Sequence, residues 1–371
     1  MAMSINLDVR SVESPAATEI YISATPKEKA ALEVQASKIF SGIRDVLRSK
    51  KAYILQERVF AVQDAMEIVS EKRLKAYVDI DDGVAPSFLV CKEGLLGPIA
   101  GVQVHAVSSD GAPEAFELEG AVCGRILHMS DRAYLTLSGI SAPGFAQATE
   151  QARVMLEKGE SVLKRFGGDM RSVPRTWMWL GDILSWYDDF NKVRSEFFAE
   201  CGLIGEGTVQ SMPASTGIGL GPANGGKCSM DVTAVLKPRR SIQYLPAVGK
   251  QQCAFEYGSA FSRASRAITP AGETVFVSGT ASIDASGATT NVGDAAGQIN
   301  TTIENVRAVL RDMHCRDEDV VQVVAYCKTT EVEEIFNNFR ADIGWPWVTV
   351  ICDICRADLL FEVEAAAMHR R

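Results

Sequence analysis

Glu273-Thr274-Val275-Phe276-Val277-Ser278-Gly279 is a β-branched, aromatic run that stops at Ser-Gly, and Ala133-Tyr134-Leu135-Thr136-Leu137-Ser138-Gly139 repeats its design earlier in the chain. Each reads as a strand. Working outward, a helix follows each run, 151–163 and 298–310, and both begin with Gln and end with Leu. In the later one the apolar residues fall at 299, 303, 306, 309 and 310, one stripe of an amphipathic helix. Next come the apolar strands 173–180 and 320–327, then a second helix at 184–198 and 332–343. A proline, Pro213 or Pro346, precedes two closing strands read as a hairpin, 215–220 with 230–235 and 348–354 with 359–366. The N-terminal part shows the same order more faintly: strands 5–9 and 19–22, helix 35–47, strand 52–62, helix 61–77, Pro86, and strands 88–91 and 102–106. Turn-rich stretches at 108–113 and 237–249 divide the chain into units 1–112, 113–240 and 241–371. The fold class expected is α+β, with three like units in one chain.

Composition bounds the function. With 371 residues, 47% hydrophobic and 23% charged, the chain has the make-up of a globular protein with several cores. A net charge of −9 and no basic block beyond Lys237-Pro238-Arg239-Arg240 argue against nucleic acid as a partner. No apolar run reaches a membrane span, and the first residues lack the pattern of a signal peptide, so a cytoplasmic protein is expected. The nine cysteines are scattered through apolar segments and read as reduced core thiols. Cys352-Asp353-Ile354-Cys355 is a lone CxxC with no second pair or nearby His pair, so neither a metal nor a cofactor is expected.

The terminal strand Leu359-Leu360-Phe361-Glu362-Val363-Glu364-Ala365-Ala366-Ala367 carries two carboxylates on one face of an apolar segment. A solvated strand face would explain them. So would a water-poor cleft, where a carboxyl keeps its proton near neutrality and can act as a general acid. Matching the closing strands of the three units sets Asp231 and Gln103 at the position of Glu362, so only some of the clefts between units would be acidic.

The third unit resembles the RidA/YjgF family along its length, through Tyr257-Gly258-Ser259-Ala260, Val275 to Gly279, residues 298–310 and 320–328, and Phe361 to Ala365. That resemblance implies a mixed sheet backed by two helices and ligand pockets at the seams between units, so three units would make a covalent pseudo-trimer and a monomer. Across the whole chain, Arg175-Thr176-Trp177, Asp182 to Tyr187, Ser215 to Gly219, Tyr257 to Arg263 and Cys355 to Glu362 are similar to recurring segments of the chorismatases. This implies a small-molecule substrate, chorismate, with Glu362 protonating its enol ether. The arginine that RidA-like deaminases carry two residues after the last proline is replaced by Val348, which counts against deamination.

Arg175 and Arg263 are the expected carboxylate-binding residues, because guanidinium pairs bidentately with carboxylate. Ser215, Gly217, Ala264 and Gly279 join them as expected substrate contacts, the glycines of Ser215 to Gly221 letting backbone N–H groups approach a ligand. Tyr257 reads either as a phenol offered to a substrate oxygen or as one more core aromatic. Cys355 is expected at the catalytic centre, although its face is undecided because the turn after it can shift by a residue. Among chorismatases, a cysteine there accompanies a 3-hydroxybenzoate product, whereas alanine at position 264 fits simple hydrolysis to a dihydroxycyclohexadiene carboxylate. A RidA-like imine deaminase and a non-catalytic metabolite binder are the rival readings.

Overall fold

The structure, a computed structural model, describes residues 4–205 and 211–369, and of residue 257 the backbone alone. The first unit runs β1 (Ile5–Glu13), β2 (Ala17–Pro26), α1 (Leu32–Lys50), β3 (Tyr53–Ala61), α2 (Met66–Ala76), β4 (Ser87–Val90) and β5 (Ile99–Ser109). The second runs β6 (Glu114–Leu118), β7 (Ala121–His128), β8 (Ala133–Ser141), α3 (Ala148–Arg165), β9 (Arg175–Leu180), α4 (Tyr187–Glu200), β10 (Ala214–Ile218), β11 (Gly221–Pro222) and β12 (Cys228–Lys237). The third runs β13 (Gln243–Leu245), β14 (Ala264–Thr269), β15 (Gly272–Ala281), α5 (Ala295–Asp312), β16 (Val320–Cys327), α6 (Thr330–Arg340), β17 (Trp347–Ile351) and β18 (Phe361–Met368).

Three six-stranded sheets result, ordered β1-β2-β5-β3-β4-β11, β10-β9-β12-β8-β7-β6 and β13-β14-β15-β18-β16-β17. The α+β repeat read from the sequence is therefore present, with one correction. The two closing strands of each unit are not a hairpin: β5, β12 and β18 each insert between the opening strand and the central strand, while β4, β10 and β17 lie parallel to the central strand at its other side. Parallel neighbours need a crossover, which is why a helix separates them in sequence.

Each long helix covers one face of its own sheet, burying Ile39 and Ile43 in α1, Met155 and Leu156 in α3, and Ile303 and Val306 in α5. The repeated glutamine at the start of each helix clamps the approach to the unit's last strand. Gln151 Nε2 donates to Phe145 O and its Oε1 accepts from Lys227 N, while Gln298 Nε2 donates to Asp358 O and its Oε1 accepts from Leu360 N. In the first unit Gln35 Nε2 donates to Leu96 O, but its buried Oε1 has no partner. The position matching Lys227 and Leu360 there is Pro98, which has no N–H to give.

The opposite sheet faces meet each other. Phe60 from the first unit, Trp179, Ile218 and Leu220 from the second, and Tyr326, Val348 and Val350 from the third form one buried cluster at this seam. Trp177 lies there too, with Arg58 at 3.6 Å and Arg175 at 4.7 Å from its ring.

Strand register corrects the match between closing strands. In the second and third units a bulge places Ser138-Gly139 and Ser278-Gly279 opposite single residues, which are Asp231 and Glu364. On the other side Gln103 faces Arg58, Asp231 faces Trp177 and Glu364 faces Val324. Gln103 and Asp231 thus correspond to Glu364, and Glu362 corresponds to Ser229 and Gly101, which face Trp179 and Phe60 as Glu362 faces Tyr326. Glu362 has no carboxylate counterpart in either of the other units.

Candidate active site

A cleft opens at the seam between the second and third units. The second unit supplies Tyr187 and Arg194 from α4 and Ser215 and Gly217 from β10. The third supplies Arg263, Gly279, Cys355, Arg356 and Glu362, with Ser259 and Phe261 on the segment that leads into β14. Its free volume is about 50 Å³, less than a ring-sized ligand needs.

Glu362 begins β18 and is 4% exposed. Burial, reinforced by the neighbouring Glu364 charge and only partly offset by Arg175, Arg263 and Arg356, raises its carboxyl to a pKa of about 8. It therefore holds a proton at neutral pH and faces a cleft with several guanidinium groups. Gly279 makes room for it, because a Cβ there would lie 2.1 Å from Glu362 Oε1. Thr216 Oγ1 accepts from Gly279 N at 3.0 Å and fixes that backbone across the seam.

The seam is laced by hydroxyls. Ser215 N donates to Ser278 Oγ at 2.9 Å, and Ser278 Oγ donates to Ser262 O at 2.6 Å. Thr176 Oγ1 donates to Ser215 Oγ at 3.0 Å, leaving the Ser215 proton to point elsewhere. Arg263 and Arg194 flank the Phe261 ring at 5.3 and 5.7 Å; Arg263 Nε donates to Gln252 O and Arg194 Nη2 to Asn191 Oδ1. Arg356 Nη1 donates to Gly287 O at 2.6 Å. Cys355 lies in the loop before β18 and lines the cleft; burial and the nearby Glu362 push its thiol up to about 12, so it is a thiol rather than a thiolate at neutral pH. Burial and Cys355 likewise push the Tyr187 phenol up to about 12.

The cleft thus gathers six of the expected residues: Glu362, Cys355, Arg263, Ser215, Gly217 and Gly279. Arg175 is a correction. It is 1% exposed and off the cleft wall, its Nη2 donating to Glu364 Oε2 at 2.8 Å and to Thr216 Oγ1 at 2.5 Å, so its charge is taken up inside the seam. Ala264 is another. It follows Arg263 directly, and strand alternation turns its side chain to the opposite face, into the third unit's own core beside Val277. The Tyr257 side chain lies outside the described residues.

The glycine-rich run 215–221 also departs from expectation. Gly219 N donates to Asp353 O at 2.9 Å, a Cβ there would lie 2.4 Å from that oxygen, and Gly221-Pro222 pairs with β4 of the first unit. After Gly217 these glycines join units together rather than approach a ligand.

Tyr187, Arg194 and Arg356 were not singled out from the sequence. Tyr187, Asn191 and Arg194 stand at i, i+4 and i+7 on α4, a polar stripe among phenylalanines that was the available signal.

The family model described as Endoribonuclease L-PSP matches residues 258–369, within the third unit. A 3-hydroxybenzoate synthase of Streptomyces hygroscopicus is 28% identical over 311 residues, covering 74% of this chain and 84% of the relative. The crystal structure of a chorismatase matches with a TM-score of 0.62 at 18% identity, covering 98% of this chain and 99% of that one. The fold is that of chorismatase, three RidA-like units in one chain.

Proposed function

We propose that this chain is a chorismatase whose reaction takes place in the cleft between the second and third units. The observation that carries this is Glu362, a carboxyl with a pKa of about 8 that faces a cleft lined by Arg194, Arg263 and Arg356. A protonated acid beside cations suits a dicarboxylate that must be protonated on carbon, since the cations hold the substrate while the acid keeps its proton. The likeness to the 3-hydroxybenzoate synthase along most of both chains supports the same substrate.

In this reading Glu362 gives its proton to the methylene carbon of the enolpyruvyl ether. Water captures the resulting oxocarbenium centre and the hemiketal collapses to pyruvate and the ring diol, or the neighbouring ring hydroxyl captures it, its own C–O bond to the ring then breaks, a ring proton is lost to restore the acid, and pyruvate leaves with that oxygen. Arg263 and Arg194, backed by the Phe261 ring, grip the substrate carboxylates in place of Arg175. The Cys355 thiol stands beside the acid, and the ring product is 3-hydroxybenzoate. One chain already supplies both walls of the cleft, so the protein works as a monomer in the cytoplasm and needs no cofactor.

Incubating the purified protein with chorismate and following pyruvate with a coupled lactate dehydrogenase assay tests this. Pyruvate release without added cofactor is expected. No release from chorismate, together with ammonia from an imine substrate, would assign the cleft to deamination instead.

A further inference from the structure

The repeat makes three seams, and the one between the third and first units holds a cleft with its own polar lining. Between the third and first units a cleft of about 250 Å³ is walled by α6, the end of β2, the loop 94–97 and the start of β5. These are the counterparts of α4, the end of β15, the loop carrying Cys355 and the start of β18 in the catalytic cleft. At the seam between the first and second units, by contrast, Gly221-Pro222 pairs with β4.

The residues in this second cleft have changed in kind. Gly101 stands where Glu362 stands, and a Cβ there would lie 2.9 Å from Ala24 O and 3.0 Å from Val348 Cγ1, so no acid fits at that position. Thr349 of β17 replaces Gly217 and lies 3.4 Å from Arg340 Nη1, which donates to its hydroxyl. Arg340 and Lys27 supply positive charge. On the same helix as Arg340, Glu333 Oε2 accepts from Leu95 N at 2.9 Å, and Asn337 Oδ1 is a buried acceptor without a hydrogen-bond partner. A buried acceptor without a donor is costly, so this wall is suited to a donor from outside the protein. Burial raises the Glu333 carboxyl and lowers the Arg340 guanidinium, the mark of charges held partly out of water.

We propose that the cleft between the third and first units binds a small carboxylate that also carries a hydroxyl. Arg340 and Lys27 take the carboxylate, the hydroxyl donates to Asn337 Oδ1 beside Glu333, and the site binds without turnover because Gly101 removes the acid. Binding here follows from the lining of this cleft alone, whereas the lack of turnover rests on the acid role proposed for Glu362.

Calorimetric titration of the full-length protein with L-lactate and, separately, with 3-hydroxybenzoate tests it, the two probes differing in size within one chemistry. At least one should bind at a site that Arg340→Ala weakens about tenfold or more, the loss expected for a charge-assisted contact, and that Arg263→Ala in the catalytic cleft leaves unchanged. Lys27 is exposed, so Lys27→Glu should fold even where Arg340→Ala does not, and the same weakening is expected of it. No binding of either probe at millimolar concentration, or binding insensitive to both Lys27→Glu and Arg340→Ala, would overturn the assignment.

Discussion

Arg175 of the second unit donates to Glu364 of the third at 2.8 Å, and Trp177 Nε1 donates to the other oxygen of the same carboxylate at 2.8 Å. Of the two glutamates on this strand face, one is therefore tied into the seam and the other, Glu362, faces the cleft. An earlier seam holds a similar arrangement, with Arg58 of the first unit 2.8 Å from Asp231 of the second. Glu364 keeps both oxygens bonded in the seam, and its charge adds to the burial that raises the Glu362 carboxyl.

From this pairing, Arg175→Ala should act first on stability. It leaves Glu364 buried with one hydrogen bond and no cation, a loss of about 3–5 kcal/mol for breaking a buried pair. Urea unfolding followed by tryptophan fluorescence measures it. An unchanged midpoint with a raised KM would put Arg175 back in the substrate site.

Gly279→Ala tests the acid from the other side. The added methyl would sit 2.1 Å from Glu362 Oε1 and 3.2 Å from Thr216 Cγ2, so the carboxyl must move off its position. Displacement of this size should lower pyruvate release from chorismate by about 100-fold. Wild-type rates in Gly279→Ala would mean that the position of Glu362 is not critical.

The pH dependence has a definite sign. The folded pKa of Glu362 is raised from 4.5 to about 8, so the native state binds more protons than the unfolded chain between those values, and stability falls as pH rises through that window. The activity of a general acid falls on the same limb, declining above a pH of about 8. Glu362→Gln should lose turnover yet melt higher than wild type at pH 8–9, with the two converging near pH 4. Equal melting temperatures at both pH values would mean that the carboxyl is not destabilised when ionised.

The repeat was legible because its marks are local: Ser-Gly at the end of two strands, glutamine at the start of three helices, and the order of periodic segments. What escaped depends on partners distant in sequence. The match of the closing strands was off by two residues, a slip that keeps every side chain on the same face, and the Ser-Gly bulges that fix the true match, opposite Asp231 and Glu364, show only in the strand pairing. The similarity of Phe361-Glu362-Val363 to Met230-Asp231-Val232 therefore misled. Burial of Arg175 could be read from its aromatic strand, but its carboxylate partner across the seam could not. Arg263 and Ala264 could not both face a cleft, a conflict that alternation alone exposes. The sequence also hid that Gly219 and Gly221 join units, since each meets backbone far away in the chain.

The last prediction concerns which ring product forms. Cys355 lines the same cleft as Glu362, and its thiol, pushed up to about 12, stays protonated throughout the working range. It can give a hydrogen bond or occupy space, but it does not serve as a thiolate base. Placed on the wall of the cleft that Glu362 faces, its bulk takes up space that water would need, and water is what the hydrolytic route needs. Wild-type protein should therefore give 3-hydroxybenzoate, with pyruvate released in equal amount. Cys355→Ala enlarges the cleft beside the oxocarbenium centre and should divert part of the flux to the dihydroxycyclohexadiene carboxylate while pyruvate release continues. Chromatography of the ring product with its ultraviolet spectrum distinguishes the two. If the wild type yields only the diene diol, or if Cys355→Ala leaves an aromatic product unchanged, Cys355 does not control the outcome, whereas the role of Glu362 in releasing pyruvate is untouched.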